Sequence, residues 1–180
     1  MDIRKSARRA VGVAPLLAAL AWAGAASAQV HPWTAAGSTG TVDDTDTGIV
    51  DFVNGEARMR AAAAAGSVLN LRYNVVSLEG LSGFGQHVLR VRFRDNGAAS
   101  QVRLNLRRYN QATGILTQVA AFDSNAYPAA VGYQTRQICL VHNWDFDAGP
   151  YYIEAELIKS GGAGQPAVGT IQLVPANCIP

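Results

Sequence analysis

Arg90, Arg92 and Arg94 recur at every second position, and Arg103 and Arg107 stand four apart further along the chain. In extended backbone, residues so spaced project from one side of a strand. If the two segments pair as a hairpin, all five guanidiniums form one positive stripe. A guanidinium fork grips phosphate, sulfate or carboxylate through two parallel hydrogen bonds, so the stripe would suit an anionic polysaccharide or a lipid head group. Glu154 and Glu156, also two apart, could instead lie across a strand boundary and neutralise it.

Two further sets could hold a metal. Asp43, Asp44, Asp46 and Asp51 crowd one short stretch with the hard oxygens that Ca2+ takes. Gly48 stands where an EF-hand needs its third ligand, so a solvated acidic turn is the plainer reading. Asp145 and Asp147 are a lesser acidic pair. The second set is Gln29-Val30-His31. A free amine, two amide nitrogens and the His31 imidazole would make a square-planar site for Cu2+. Cyclisation of an N-terminal Gln removes that amine, and His31 is then an ordinary residue of a frayed end.

Aromatic residues offer flat faces for sugars: Trp33, Tyr127, Tyr133, Trp144, Tyr151 and Tyr152 fall in loops or at strand ends. Trp144 and Tyr151 join the arginines as candidate binding residues, although Trp144 could equally plug one end of a sandwich. No role is assigned to His87 or His142. Catalytic motifs are missing. Gly80-Leu81-Ser82-Gly83 comes near a nucleophile elbow, but its second glycine falls one place early. Gly83-Phe84-Gly85 does not complete a dinucleotide fingerprint, because Val88 stands where a small residue is needed. There is no HExxH, phosphate loop or glycosylation sequon, and no motif specific enough to name a family.

Strands must position these residues. Leu69, Leu71, Tyr73 and Val75 alternate with polar residues, as do Leu89, Val91 and Phe93, then Val102, Leu104 and Leu106. Leu116, Ala120 and Phe122 follow, then Ile138 and Leu140, then Tyr151, Ile153, Ala155 and Leu157, then Ile171 and Leu173. Such alternation gives each sheet one buried and one wet face. Asp95-Asn96-Gly97, Asn110 to Gly114 and Asp147 to Pro150 supply turn chemistry between the runs. Glu56 to Ala65 holds helix formers, yet it follows a hairpin-like Asn54-Gly55 and reads as a strand leading into Val68. The expectation is an all-β fold: an antiparallel β-sandwich of jelly-roll or immunoglobulin-like topology, with a closed β-barrel as the alternative.

Of the 180 residues, the first 28 read as a secretory signal peptide. Arg4 to Arg9 are basic, Val11 to Ala23 is a short apolar run, and Ala26-Ser27-Ala28 suits cleavage after Ala28. That run is shorter than the roughly 20 residues a membrane-spanning helix needs, and no second apolar run follows. Cleavage removes four of the 15 basic residues and one of the 13 acidic, leaving 11 against 12 and a net charge of −1. The pI of 8.7 therefore gives no warrant for a nucleic-acid partner. An irregular N-terminal segment over 29–48 and a single sandwich domain over 49–180 are expected. Cys139 and Cys178 are the only cysteines, and an even pair in an oxidising compartment most often bonds. Closing their loop of about 40 residues would stabilise the fold by about 4 kcal/mol.

Together these readings describe a secreted or periplasmic, non-catalytic binding module that needs no cofactor. The expected ligand is an extracellular glycan or anionic envelope polymer, bound through the arginine-bearing face and loop aromatics. The alternatives are a structural or protein-interaction component of the envelope, and a hydrolase whose carboxylates, Asp145 with Glu154, meet only in the fold.

Overall fold

A computed structural model describes residues 32–177. The expected leader and its cleavage site, the Gln29 amine, His31 and Cys178 lie outside the described residues. Eleven strands are present among them, joined by short 3-10 turns and loops. They are β1 (Trp33–Ala36), β2 (Thr41–Val42), β3 (Val50–Val53), β4 (Glu56–Met59), β5 (Val68–Val75) and β6 (Gly83–Asp95). The rest are β7 (Ser100–Tyr109), β8 (Leu116–Asp123), β9 (Ala130–Trp144), β10 (Tyr151–Lys159) and β11 (Ala167–Pro175).

All pairings are antiparallel. One sheet, here the front, runs β3-β4-β11-β6-β9, with β1 also on β11; the back sheet runs β2-β5-β10-β7-β8. From β4 to β11 the eight main strands divide as 4-11-6-9 and 5-10-7-8. That order is the jelly roll, and neither sheet closes on itself, so the barrel alternative falls. Every predicted run is a strand. The stretch expected to be irregular carries two more, β1 and β2. The helix formers after Gly55 begin as strand β4, because Asn54 and Gly55 both adopt positive φ (53° and 83°) and close a two-residue hairpin of type I′ geometry.

The core is what the alternation promised. Leu69, Leu71, Tyr73 and Val75 from β5 meet Leu89, Val91 and Phe93 from β6 across the sandwich, with Leu104, Ile153, Leu157 and Ile171 between. Phe93 and Phe122 join the two sheets edge to face at 5.2 Å. Lys159 is also buried, its ammonium donating to the Ala61 carbonyl at 2.7 Å.

One end of the sandwich is plugged by rings. Trp144 Nε1 donates to His87 Nδ1 at 3.2 Å, so the His87 proton sits on Nε2, which faces the Gly80 carbonyl at 2.7 Å. His142 packs edge-on against Trp144 and Tyr151, its Nε2 lying 3.0 Å from the Tyr151 hydroxyl. Burial holds the His142 imidazole below its usual pKa, and Arg108 and then His87 add to the effect. The folded state thus disfavours the proton that an unfolded His142 accepts near pH 6.5. His142 contributes stability above that pH and loses it as the pH falls below. The midpoint of thermal unfolding should therefore drop between about pH 7 and pH 5, and less steeply in His142→Gln. Parallel pH profiles of the two proteins would reject this assignment.

Candidate functional site

The structure divides the five-arginine stripe. Asp95-Asn96-Gly97 does not turn β6 back onto β7 as a hairpin; it carries the chain across to the other sheet. Arg90, Arg92 and Arg94 consequently face outward from the front sheet, while Arg103 and Arg107 face outward from the back sheet, on the opposite side of the molecule. The back-sheet pair is also neutralised. Arg103 meets Glu156 at 3.4 Å directly across the β7–β10 boundary, and Arg107 meets Glu154 at 3.0 Å on the diagonal.

The candidate aromatics are corrected in the same way. Trp144 is 3% exposed and Tyr151 1%, both pointing into the plugged end, so neither offers a free ring face. Period two explains this: Tyr151 belongs to the inward set with Ile153, Ala155 and Leu157, and Tyr152 to the outward set with Glu154 and Glu156. Tyr152 is the ring that β10 gives to the surface.

That ring helps form an open groove of about 420 Å³ on the outward side of the back sheet, lined by Arg72, Asn74, Tyr109, Leu116, Pro150 and Tyr152, with Tyr151 beneath. The register shows how it is built. Tyr152 stands opposite Asn74 on β5 and opposite Arg107 on β7. Tyr109, two residues past Arg107 on the same side, is the diagonal neighbour of Tyr152, about 7–8 Å away at the level of the backbone. Tyr109 is held where the Pro150 carbonyl accepts its backbone N–H at 3.0 Å, and its ring is 40% exposed. Sequence reading missed Tyr109, although it closes the outward series Arg103, Asn105, Arg107 that was already visible. Arg72 reaches Asp43 only at 3.7 Å, with both side chains well exposed, a contact of small energy that leaves the guanidinium available.

The acidic candidates are dispersed. Asp46 is buried and accepts from the Asn70 backbone N–H at 2.8 Å and from its side-chain amide at 3.0 Å. Asp51 binds Arg60 at 2.9 Å and Arg58 at 3.7 Å, and Asp44 begins a short 3-10 turn. Among the described residues no three His, Cys, Asp or Glu side chains gather as a metal site would require. Asp145 binds Arg108 at 3.1 Å and Glu154 binds Arg107; these consecutive arginines point to opposite sides of β7, so the hydrolase pairing of Asp145 with Glu154 does not form. Cys139 is not a free thiol.

On the front sheet, Arg92 and Arg94 lie over the Tyr133 ring at 4.9 and 5.4 Å, and the Tyr133 hydroxyl donates to Glu56 at 2.5 Å. Burial and that bond push the hydroxyl up to about 12, so it remains a donor at neutral pH.

No family model matches the chain, and no curated protein matches it. Solved structures do. The C-terminal family 6 carbohydrate-binding module of a marine laminarinase from Zobellia galactanivorans is 11% identical, covering 80% of this chain and 99% of that one, with a TM-score of 0.46. A family 36 module of a multidomain xylanase from the hindgut metagenome of Trinervitermes trinervoides is 11% identical over 82% and 100%, at 0.44. A carbohydrate-binding module from Cellvibrio mixtus lichenase 5A, solved with cellotriose, is 14% identical over 81% and 98%, at 0.41. The likenesses are loose, and no residue role is carried over from them. Among the described residues no helix is long and apolar enough to cross a membrane.

Proposed function

We propose that this domain is an exported, non-catalytic glycan-binding module whose sugar site is the back-sheet groove. One observation carries the reading: two outward-facing tyrosines, the exposed Tyr109 and the half-buried Tyr152, flank polar groups in an open trough. Ring faces stack on the C–H faces of pyranoses, while the Asn74 amide both donates to and accepts from hydroxyls and Arg72 donates. Glu154 on β10, which stands across from Arg72, is held by Arg107 at 3.0 Å. Export fits the signal-like leader and the Cys139–Cys178 bridge expected from the sequence.

The test is calorimetry against neutral oligosaccharides chosen from a glycan array. Tyr152→Ala should weaken binding about tenfold or more, roughly 1.4 kcal/mol, with the fold retained because the side chain lies outside the core. An array that yields no neutral glycan, or a Tyr152→Ala protein that binds as tightly as the original, rejects the groove.

A further inference from the structure

The front sheet presents a second surface of different chemistry. We infer that the outward row Arg90, Arg92 and Arg94 on β6 is a separate binding site for a linear polysaccharide bearing carboxylate or sulfate groups. This goes beyond the sugar groove, lies on the opposite face and does not depend on it.

The row differs from most of the other basic residues in its partners, Arg136 and the buried Lys159 being the other two without a carboxylate among the described residues. Arg58, Arg60, Arg72, Arg103, Arg107 and Arg108 each have a carboxylate within salt-bridge distance. Among the described residues, Arg90, Arg92 and Arg94 have none. Their hydrogen bonds hold them without consuming the fork. Arg90 Nε donates to the Gln137 side-chain oxygen at 3.3 Å and Arg94 Nε to the Gln165 carbonyl at 3.2 Å. Arg92, with Arg94, is restrained by the Tyr133 ring. The terminal nitrogens, which grip an oxyanion, are left for a ligand.

Geometry selects a polymer. Alternate residues of one strand stand about 6.6–6.8 Å apart, so the three arginines leave β6 at evenly spaced points on one side of the sheet. Like charges so placed repel one another, and a ligand with several anions along its length relieves all three contacts together. Register supplies neighbours for sugar hydroxyls: Arg90 stands between Gln137 and Gln172, and Arg92 between Thr135 and Thr170. These flanking groups are amides and hydroxyls, suited to a hydrated chain.

The experiment is affinity electrophoresis and calorimetry of the whole protein with dextran sulfate and polygalacturonate, with neutral dextran as control and phosphatidylglycerol vesicles as the lipid arm. Binding to at least one polyanion but not to neutral dextran is expected, and it should weaken as salt rises toward 1 M, where the screening length falls to about 3 Å. The triple change Arg90→Gln, Arg92→Gln, Arg94→Gln should lower the affinity at least about tenfold. Arg103→Gln and Tyr152→Ala should leave it unchanged, which separates this site from the groove. The single variant Arg92→Gln, whose side chain makes no hydrogen bond within the fold, keeps the test valid if the triple variant is unstable. The inference is overturned if neither polyanion binds at low salt, if the Arg92→Gln and triple variants both bind as the original does, or if only the lipid vesicles are bound.

Discussion

Gly37→Ala should destabilise the protein by more than about 3 kcal/mol, lowering the unfolding midpoint by roughly 6–12 °C. Gly37 lies where the chain leaves β1 in the front sheet and crosses to β2 in the back sheet. There it fills the gap between β1 and β4, which share one edge of β11. A Cβ at this position would stand 1.9 Å from the Val168 carbonyl oxygen and 2.7 Å from the Ala57 backbone nitrogen. Both are backbone atoms of paired strands, so neither can move aside without breaking the ladder. The buried Tyr73 hydroxyl also donates to the Gly37 carbonyl at 2.8 Å, so displacing Gly37 leaves that donor unmatched in the core. Gly48→Ala is the control, because a Cβ there meets nothing within 4 Å, and its effect should stay within about 0.5 kcal/mol. Differential scanning calorimetry of the three proteins decides the matter. If Gly37→Ala melts with the original, the first strand is not locked into the sandwich.

That clamp also marks where sequence reading stopped. Strand interiors were legible because period two is a local property: Leu69 to Val75 and Tyr151 to Leu157 show it within a few residues, and the buried sets match it. Pairing partners are not local. The turn chemistry of Asp95-Asn96-Gly97 is the same whether the next strand joins its neighbour or crosses to the other sheet, so the hairpin of β6 with β7 was a reasonable expectation and a wrong one. The arginine stripe inherited that error. Its alternation was correctly read, and the topology then placed the two halves back to back. β1 and β2 went unseen because strands of four and two residues are too short to show a period. The groove was hidden for a related reason. Arg72, Asn74, Tyr109 and Tyr152 come from three strands and converge only through the β5–β10–β7 order.

Phe122→Ala should cost about 3–5 kcal/mol, and the loss should be concentrated on one strand. β8 is the open edge of the back sheet, and Phe122 is the one residue of that strand that is fully buried; Leu116, Thr117 and Gln118 are all exposed. Its ring meets Phe93 of the front sheet edge to face at 5.2 Å and stacks on Tyr127 at 5.5 Å, tying the edge strand to the core and to the loop that follows. Truncation removes these contacts and leaves a cavity between the sheets, while the β7–β8 hydrogen bonds and the partly buried Val119 and Ala120 are left to hold the strand. Amide exchange should therefore accelerate across Leu116–Asp123 well before it does in β6 or β10, whose inward residues remain packed. The groove gives a second reading of the same event. Leu116 pairs with Tyr109, so a loosened β8 frees one wall of the trough, and neutral-glycan affinity should fall although no sugar-facing group has changed. Binding of polyanions to the front-sheet row should persist at temperatures where the fold survives. A uniform rise in exchange over both sheets, with glycan affinity intact, would mean that Phe122 serves the core as a whole and that β8 is held without it.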